Sequence, residues 1–227
     1  MTVRDVATWN SLLAGLAQGT EPNLALALFH RLADSFQELP SREEPNEVTI
    51  VAALSACAQI GSLKDGMYVH EFAKRFGLDR NVRVCNSLID MYSKCGSLSR
   101  ALDVFHSIKP EDRTLVSYNA AIQAHSMHGH GGDALRLFDE MPTRIEPDGV
   151  TYLAVLCGCN HSGLVDDGLR VVRDIIQGSR LAVADIFNLV PIEINLVSHS
   201  VGGLKILHLA FTENDLENEI PNTVYTV

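Results

Sequence analysis

The 227-residue sequence predicts an all-α fold, a right-handed α-solenoid of helix-turn-helix repeats of about 35 residues. Three observations carry that expectation. One spacing frame recurs five times: a polar or small anchor, Gly ten residues later, Ala or Gly five after that, and a bulky residue four further on. Apolar residues inside each frame fall on helical stripes. A glycine stands where the first stripe must stop, because Gly enters the left-handed conformation of a helix C-cap without Cβ strain.

In chain order, the first copy is Asn10, Thr20, Ala25 and Phe29, with Thr in the glycine slot. Val51, Gly61, Gly66 and His70 form the second. The third and clearest is Asn86, Gly96, Ala101 and Phe105, with Leu88, Ile89 and Tyr92 on one stripe and Leu98, Ala101, Leu102 and Phe105 on the next. Asn119, Gly129, Ala134 and Phe138 make the fourth, and Leu153, Gly163, Gly168 and Val172 open a fifth. Copies start near Val6, Glu47, Val82, Leu115 and Gly149, at offsets of 41, 35, 33 and 34 residues. The long first offset predicts an insertion over Ser35–Pro45, with the charged run around Glu43 in a solvated loop. The Ala or Gly slot suits close approach of two helices. A lone hairpin cannot bury both of its faces, so stability is expected to be a nearest-neighbour sum along the array.

Residues 1–175 thus read as about four full repeats and the start of a fifth, and residues 176–227 as a separate, divergent tail. Net charge is −10, of which −6 lies in residues 1–175, where 16 Lys and Arg face 22 Asp and Glu. An acidic balance argues against non-specific polyanion binding, in which cations must displace counterions. It leaves room for recognition of single bases by a shaped groove. No run of 18 apolar residues appears, so no membrane partner is expected. Met1–Asp5 shows neither an apolar signal core nor an Arg/Ser-rich leader.

The strings ATWNSLLAGLAQ, VTIVAALSACAQIGSLKDGMYVHEFAKRFGLDRNV, VCNSLIDMYSKCGSLSRALDVF and LVSYNAAIQAHSMHGHGGDALRLFDEM resemble the plant pentatricopeptide repeat proteins. More narrowly they resemble the subclass that alternates standard, long and short repeats. Leu54–Leu78 is similar to the long type and Leu88–Leu98 to the short one. The resemblance implies binding of single-stranded RNA at one base per repeat, read by two or three side chains. It implies a role as the recognition component of organellar RNA processing or C-to-U editing, in the mitochondrion or chloroplast. By the same resemblance the reader pairs are Asn10 with Asn46, Val51 with Asn81, Asn86 with Thr114, and Asn119 with Asp148. Base-packing positions lie three residues before each first reader, at Ala7, Val48, Arg83, Val116 and Val150, and Arg83 departs from the apolar pattern.

An Asn amide offers both a donor and an acceptor to a base edge, and a neighbouring acid can orient it. Asn119 with Asp148 matches the family's uracil pair, Asn10 with Asn46 a pyrimidine pair, and Asn86 with Thr114 more loosely a pyrimidine pair. Val51 cannot hydrogen-bond. The RNA partner is therefore expected to be pyrimidine-preferring. The bland alternative for an Asn near a helix start is capping, which three polar anchors in register disfavour. The competing class is a protein–protein scaffold, since a period of about 34 is shared with peptide-binding arrays.

Other constellations carry less. His125, His128 and His130 straddle a glycine turn without a Cys or carboxylate at ligand spacing, and no metal or other cofactor is expected. Five cysteines, Cys57, Cys85, Cys95, Cys157 and Cys159, form no C-x-x-C pair and read as small apolar side chains. No His is followed two residues later by Glu, so the zinc deaminase chemistry found in some relatives of this subclass is not expected here, and partner proteins would supply it. In the tail, Ile194–Gly203 is similar to a nucleophile elbow with Ser200 as nucleophile. Ser198 replaces the first Gly, no His follows the downstream acids, and some fifty residues cannot build the sheet, so no catalytic residue is expected. The tail reads instead as the product of truncation or an altered reading frame, poorly ordered or loosely docked.

Overall fold

A computed structural model of the chain describes residues 6–38, 44–178, 197–201 and 204–208. Five helical hairpins follow one another: α1 (Val6–Gln18) with α2 (Pro22–Glu38), α3 (Glu47–Ile60) with α4 (Leu63–Arg75), α5 (Val82–Lys94) with α6 (Leu98–Ser107), α7 (Leu115–Met127) with α8 (Gly131–Asp139), and α9 (Gly149–His161) with α10 (Val165–Gly178). The fold is the all-α solenoid class that the spacing predicts. Each odd-numbered helix begins at the residue where a copy of the frame begins.

Turn chemistry sets the hairpins. Gly61, Gly96, Gly129 and Gly163 stand at φ of 73°, 81°, 75° and 67°, the left-handed region in which a Cβ would be strained. The small-residue slot is buried in every copy: Ala25, Gly66, Ala101, Ala134 and Gly168. The insertion is only partly a loop. Helix α2 runs on to Glu38, because Phe36 still has an apolar surface to cover, with its ring 6.4 Å from Phe72 and 6.0 Å from Phe76. Residues 39–43, including Glu43, lie outside the described residues.

The chain divides into two compact units, Met1–Ala124 and His125–Val227, and the division falls within α7. In the first, α1 packs on α3 and α3 on α5, while α2 and α4 close the hairpins against α3. Its core is continuous through Leu13, Phe29, Ile50, Leu54, Phe72 and Leu88, all buried. Phe29 meets Phe72 edge-on at 5.3 Å, a favoured aromatic geometry. In the second, α9 packs against both α8 and α10. Ser126 Oγ donates to the Ala154 carbonyl at 2.7 Å, and Ser162 Oγ accepts from the Gly131 amide at 2.9 Å.

The described tail holds a departure from an all-helical chain. Strands β1 (Val197–Val201) and β2 (Leu204–His208) pair antiparallel, with Ser200 opposite Lys205. Ser200 is therefore inside a hairpin ladder, whereas a nucleophile elbow requires a sharp turn from strand into helix. The remaining tail, 179–196, 202–203 and 209–227, is outside the described residues, and the expectation of poor order falls largely there. Among the described residues no helix is long and apolar enough to cross a membrane.

Close helix approach generates a contrast. A methyl added at Gly131 would run into the Gly158 carbonyl oxygen and Ser162 Oγ, and backbone cannot step aside. At Gly66 the obstacle is the Met91 thioether, a flexible side chain. Gly131→Ala should lower unfolding stability by about 1–3 kcal/mol, and Gly66→Ala by less. Urea denaturation followed by circular dichroism measures both, and an undiminished Gly131→Ala protein would contradict the packing.

Candidate nucleic-acid interface

The helix starts place the expected site residues. Asn10, Val51, Asn86 and Asn119 are each the fifth residue of α1, α3, α5 and α7, and Leu153 is the fifth of α9. They are thus inside the helices and do not cap them. Capping falls to the residues expected as second readers. Asn46 is the N-cap of α3 and accepts from the Val48 and Thr49 amides at 3.1 and 3.3 Å. Asn81 caps α5 through the Arg83 amide at 2.9 Å. Thr114 and Ser117 exchange backbone-to-hydroxyl bonds of 3.2 and 3.4 Å at the start of α7. Asp148 caps α9, accepting from the Thr151 amide at 2.9 Å.

Three of the four starts, those of α3, α7 and α9, are reciprocal capping boxes in which the third helical residue is Thr49, Ser117 or Thr151. Each cap satisfies amides that a helix start otherwise leaves without partners. The bland capping role is thus real, but one register away from the anchors. Sequence reasoning missed the third-residue hydroxyls. The capping-box pattern would have found Thr49, Ser117 and Thr151 had a hydroxyl been admitted where Glu or Gln is usual.

The second helical residue is exposed in α3, α5, α7 and α9. Val48, Val116 and Val150 keep 37%, 60% and 45% of their surface exposed. Scattered exposed apolar residues mean little, but recurrence at one register of α3, α7 and α9 does. Arg83 holds the same register in α5, exposed, its guanidinium 4.0 Å from Glu47 Oε1. Ala7 lies in α1, and its side chain is outside the described residues.

The fifth-residue anchors are less open than readers exposed on a groove would be. Asn10 is 7% exposed and Asn119 9%. Asn10 Nδ2 donates to Asn46 Oδ1 at 2.9 Å, bringing that expected pair together, and Asn10 Oδ1 accepts from Thr49 Oγ1 at 2.6 Å. Asn86 differs: its Oδ1 is buried and has no hydrogen-bond partner. Val51 is half-buried and apolar. Asn119 and Asp148 stand one in each compact unit, on α7 and at the start of α9.

The other candidates stay apart from this surface. His125 and His130 have ring centroids 6.4 Å apart, and His130 lies 3.7 Å from Asp133. Among the described residues no group of three or more His, Cys, Asp or Glu is placed to hold a metal ion. All five cysteines are free thiols; Cys57, Cys85 and Cys159 are buried, and burial pushes their thiols up to about 12, 11 and 11.

Helical hairpins that repeat an exposed second residue and a capped start at fixed helix positions define a helical-repeat protein. Models described as PPR repeat match residues 7–35, 83–109 and 150–178, and one described as PPR repeat family matches 113–161. These matches together span more than half of the chain, which belongs to the pentatricopeptide repeat family. It is 98% identical over 175 residues to the pentatricopeptide repeat-containing protein OGR1, mitochondrial, of Oryza sativa subsp. japonica, a match covering 77% of this chain and 30% of that protein. It is 44% identical over 155 residues to ELI1, chloroplastic, of Arabidopsis thaliana, covering 67% and 23%. The chain thus spans less than a third of the length of these relatives. Among solved structures, the maize pentatricopeptide repeat protein PPR10 superposes with a TM-score of 0.59 at 21% identity, covering 83% of this chain and 26% of that one. PPR10 has also been solved in complex with an 18-nt psaJ RNA element, with a TM-score of 0.58.

Two outcomes follow from the geometry. Asn10→Ala removes the partner of two groups at the α1–α3 contact and should cost about 1–3 kcal/mol, whereas Val116→Ser on the open surface should stay within about 0.5 kcal/mol. Thermal unfolding of the two variants checks the difference, and equal losses would contradict it. Separately, a thiol at about 12 is almost wholly protonated at pH 8, and the thiolate is the nucleophile. Cys57 should react with a chromogenic disulfide far more slowly than a free cysteine under native conditions, and at the free rate in denaturant. Fast native labelling of Cys57, located by mass spectrometry, would refute its burial.

Proposed function

We propose that the chain binds single-stranded RNA sequence-specifically, one base per repeat, and acts as the recognition component of organellar C-to-U editing or RNA processing. The observation that carries this reading is the register of exposed Val48, Val116 and Val150, three residues before Val51, Asn119 and Leu153. Fully burying a valine is worth about 1.5–3 kcal/mol, and folding leaves much of that unrealised at these positions. A flat base face seated on each valine would cover it, and the anchor one turn on lies within reach of the base edge. Of the two interaction classes open to such an array, this pattern favours RNA over a peptide, because an extended peptide has no flat unit repeating once per helical hairpin.

The proposed reader pairs are Asn10 with Asn46, Asn86 with Thr114, and Asn119 with Asp148, within an array taken as residues 1–175. Val51 faces a base without reading it. With RNA running 5′ to 3′ along the chain, the preferred pattern is pyrimidine, any, pyrimidine, uracil, any. The alternation of standard, long and short repeats assigns the chain to the corresponding subclass. The mitochondrial and chloroplastic names of its relatives support an organellar site of action. In this reading the chain supplies the address, and another protein supplies the chemistry.

Few repeats carry readers, so affinity should be modest. Stacking and readout contribute about 1–3 kcal/mol per base, and lost rigid-body freedom offsets several kcal/mol. A dissociation constant near micromolar or weaker is expected, about −8 kcal/mol or less favourable. Fluorescence anisotropy with short pyrimidine RNAs measures it. The Asn119→Thr variant should shift the base at its position from uracil toward guanine by about 0.5–1.5 kcal/mol. Because Asn119 is buried, that comparison uses ratios between RNAs, which a loss of stability leaves intact. Absence of binding to any RNA, with retained binding of a peptide partner, would favour the scaffold class instead.

A further inference from the structure

Within the first unit, two Asn anchors at the same helical register are held differently. The difference starts with Thr49, the third residue of the following repeat's first helix, which bonds to Asn10; the corresponding residue in the repeat after Asn86 is Ser117. Thr49 is fully buried, and the Asn46 amide donates to its Oγ1 at 3.3 Å. That amide occupies an acceptor site on the hydroxyl, and the single hydroxyl proton goes to its shortest acceptor, Asn10 Oδ1 at 2.6 Å. The orientation of Asn46 is fixed independently. Its side-chain atom facing Asn10 also accepts from the Val48 and Thr49 amides, so it is oxygen, and the Asn10 atom donating to it at 2.9 Å is the NH2 nitrogen. Both constraints turn the Asn10 amide the same way. Its carbonyl is engaged, one of its two N–H groups is engaged, and one N–H remains.

Asn86 has no such lock. Ser117 Oγ is also fully buried but bonds to Thr114, at 3.2 Å from both the Thr114 amide and the Thr114 hydroxyl. The Asn86 carbonyl oxygen is left buried and unpartnered. A buried acceptor without a donor is costly in the free protein, and a ligand N–H would satisfy it.

We propose that Thr49 is a specificity-positioning residue: through its hydroxyl it commits Asn10 to acting as a donor, whereas Asn86 acts as an acceptor. This rests on the RNA-binding reading above. A donor-only Asn10 favours a pyrimidine whose ring N3 is an acceptor, as in cytosine, and disfavours one whose N3 carries hydrogen, as in uracil. The buried, unpartnered carbonyl of Asn86 favours the reverse. Two positions that share a general pyrimidine preference are thereby separated by a residue belonging to neither reader pair.

The test uses the full chain and single-stranded pyrimidine pentamers carrying C or U at the base facing Asn10, and separately at the base facing Asn86. Fluorescence anisotropy should give a cytosine preference of about three- to tenfold at the first position and a uracil preference of similar size at the second. Thr49→Val keeps the shape and removes the hydroxyl. It should bring discrimination at the Asn10 position close to one while leaving that at Asn86 unchanged. Thr49→Ser should restore the cytosine preference. Circular dichroism confirms folding of each variant, and if Thr49→Val is unfolded, Thr49→Ala, which also lacks the hydroxyl, decides through the same ratio: discrimination close to one supports the role, and an unchanged cytosine preference overturns it. Unchanged discrimination in folded Thr49→Val, or equal loss at both positions, would overturn the role of Thr49 alone. No RNA binding by the unsubstituted chain would overturn the RNA reading and this inference with it.

Discussion

The capped starts of α3, α5, α7 and α9 are the constraint on which the rest depends. A helix start leaves amide groups without partners, and Asn46, Asn81, Thr114 and Asp148 each supply an acceptor there. Where the helix begins also sets its phase. With the start fixed, the second residue of α3, α5, α7 and α9 faces outward and the third inward. One extra or missing residue between the cap and these positions would turn the rest of the helix by about 100° and carry Val48 or Val116 off the surface. In the proposed reading, the same residues that secure the fold define where a ligand would be read.

Dual use has an energetic consequence. Asn46 holds the start of α3 and the side chain of Asn10 at once, so a base competing for either must replace bonds already made. In the proposed reading, recognition is an exchange of hydrogen bonds, and net gains per neutral bond are small, about 0.5–1.5 kcal/mol. Stacking on the exposed valines would then carry more of the affinity, and the polar anchors would distribute it among bases. An acidic chain of net charge −10 adds little general attraction for phosphate.

Much of the fold was legible because its signals repeat. A glycine in one position would be weak; Gly61, Gly96, Gly129 and Gly163 at one register, all left-handed, are strong. The helix starts were readable for the same reason. The end of α2 was not, because only tertiary contact with Phe72 and Phe76 tells Phe36 to remain helical. The β1–β2 hairpin escaped notice since Ile194–Gly203 has no repeat to compare with and its apolar run suits several structures. At the candidate site, positions were legible and states were not. Asn10 is engaged because the Thr49 hydroxyl donates to it, and the buried Asn86 oxygen has no such donor. Sequence alone carries no sign of that difference.

The most direct test of the account is a nuclear magnetic resonance titration of the isotopically labelled full chain with a short single-stranded pyrimidine RNA. The account predicts shifts confined to the first turns of α3, α5, α7 and α9 and to the side-chain amides of Asn10, Asn86 and Asn119. The even-numbered helices should stay silent. Shifts centred on α4, α6 or α8, or none at saturating RNA, would contradict it.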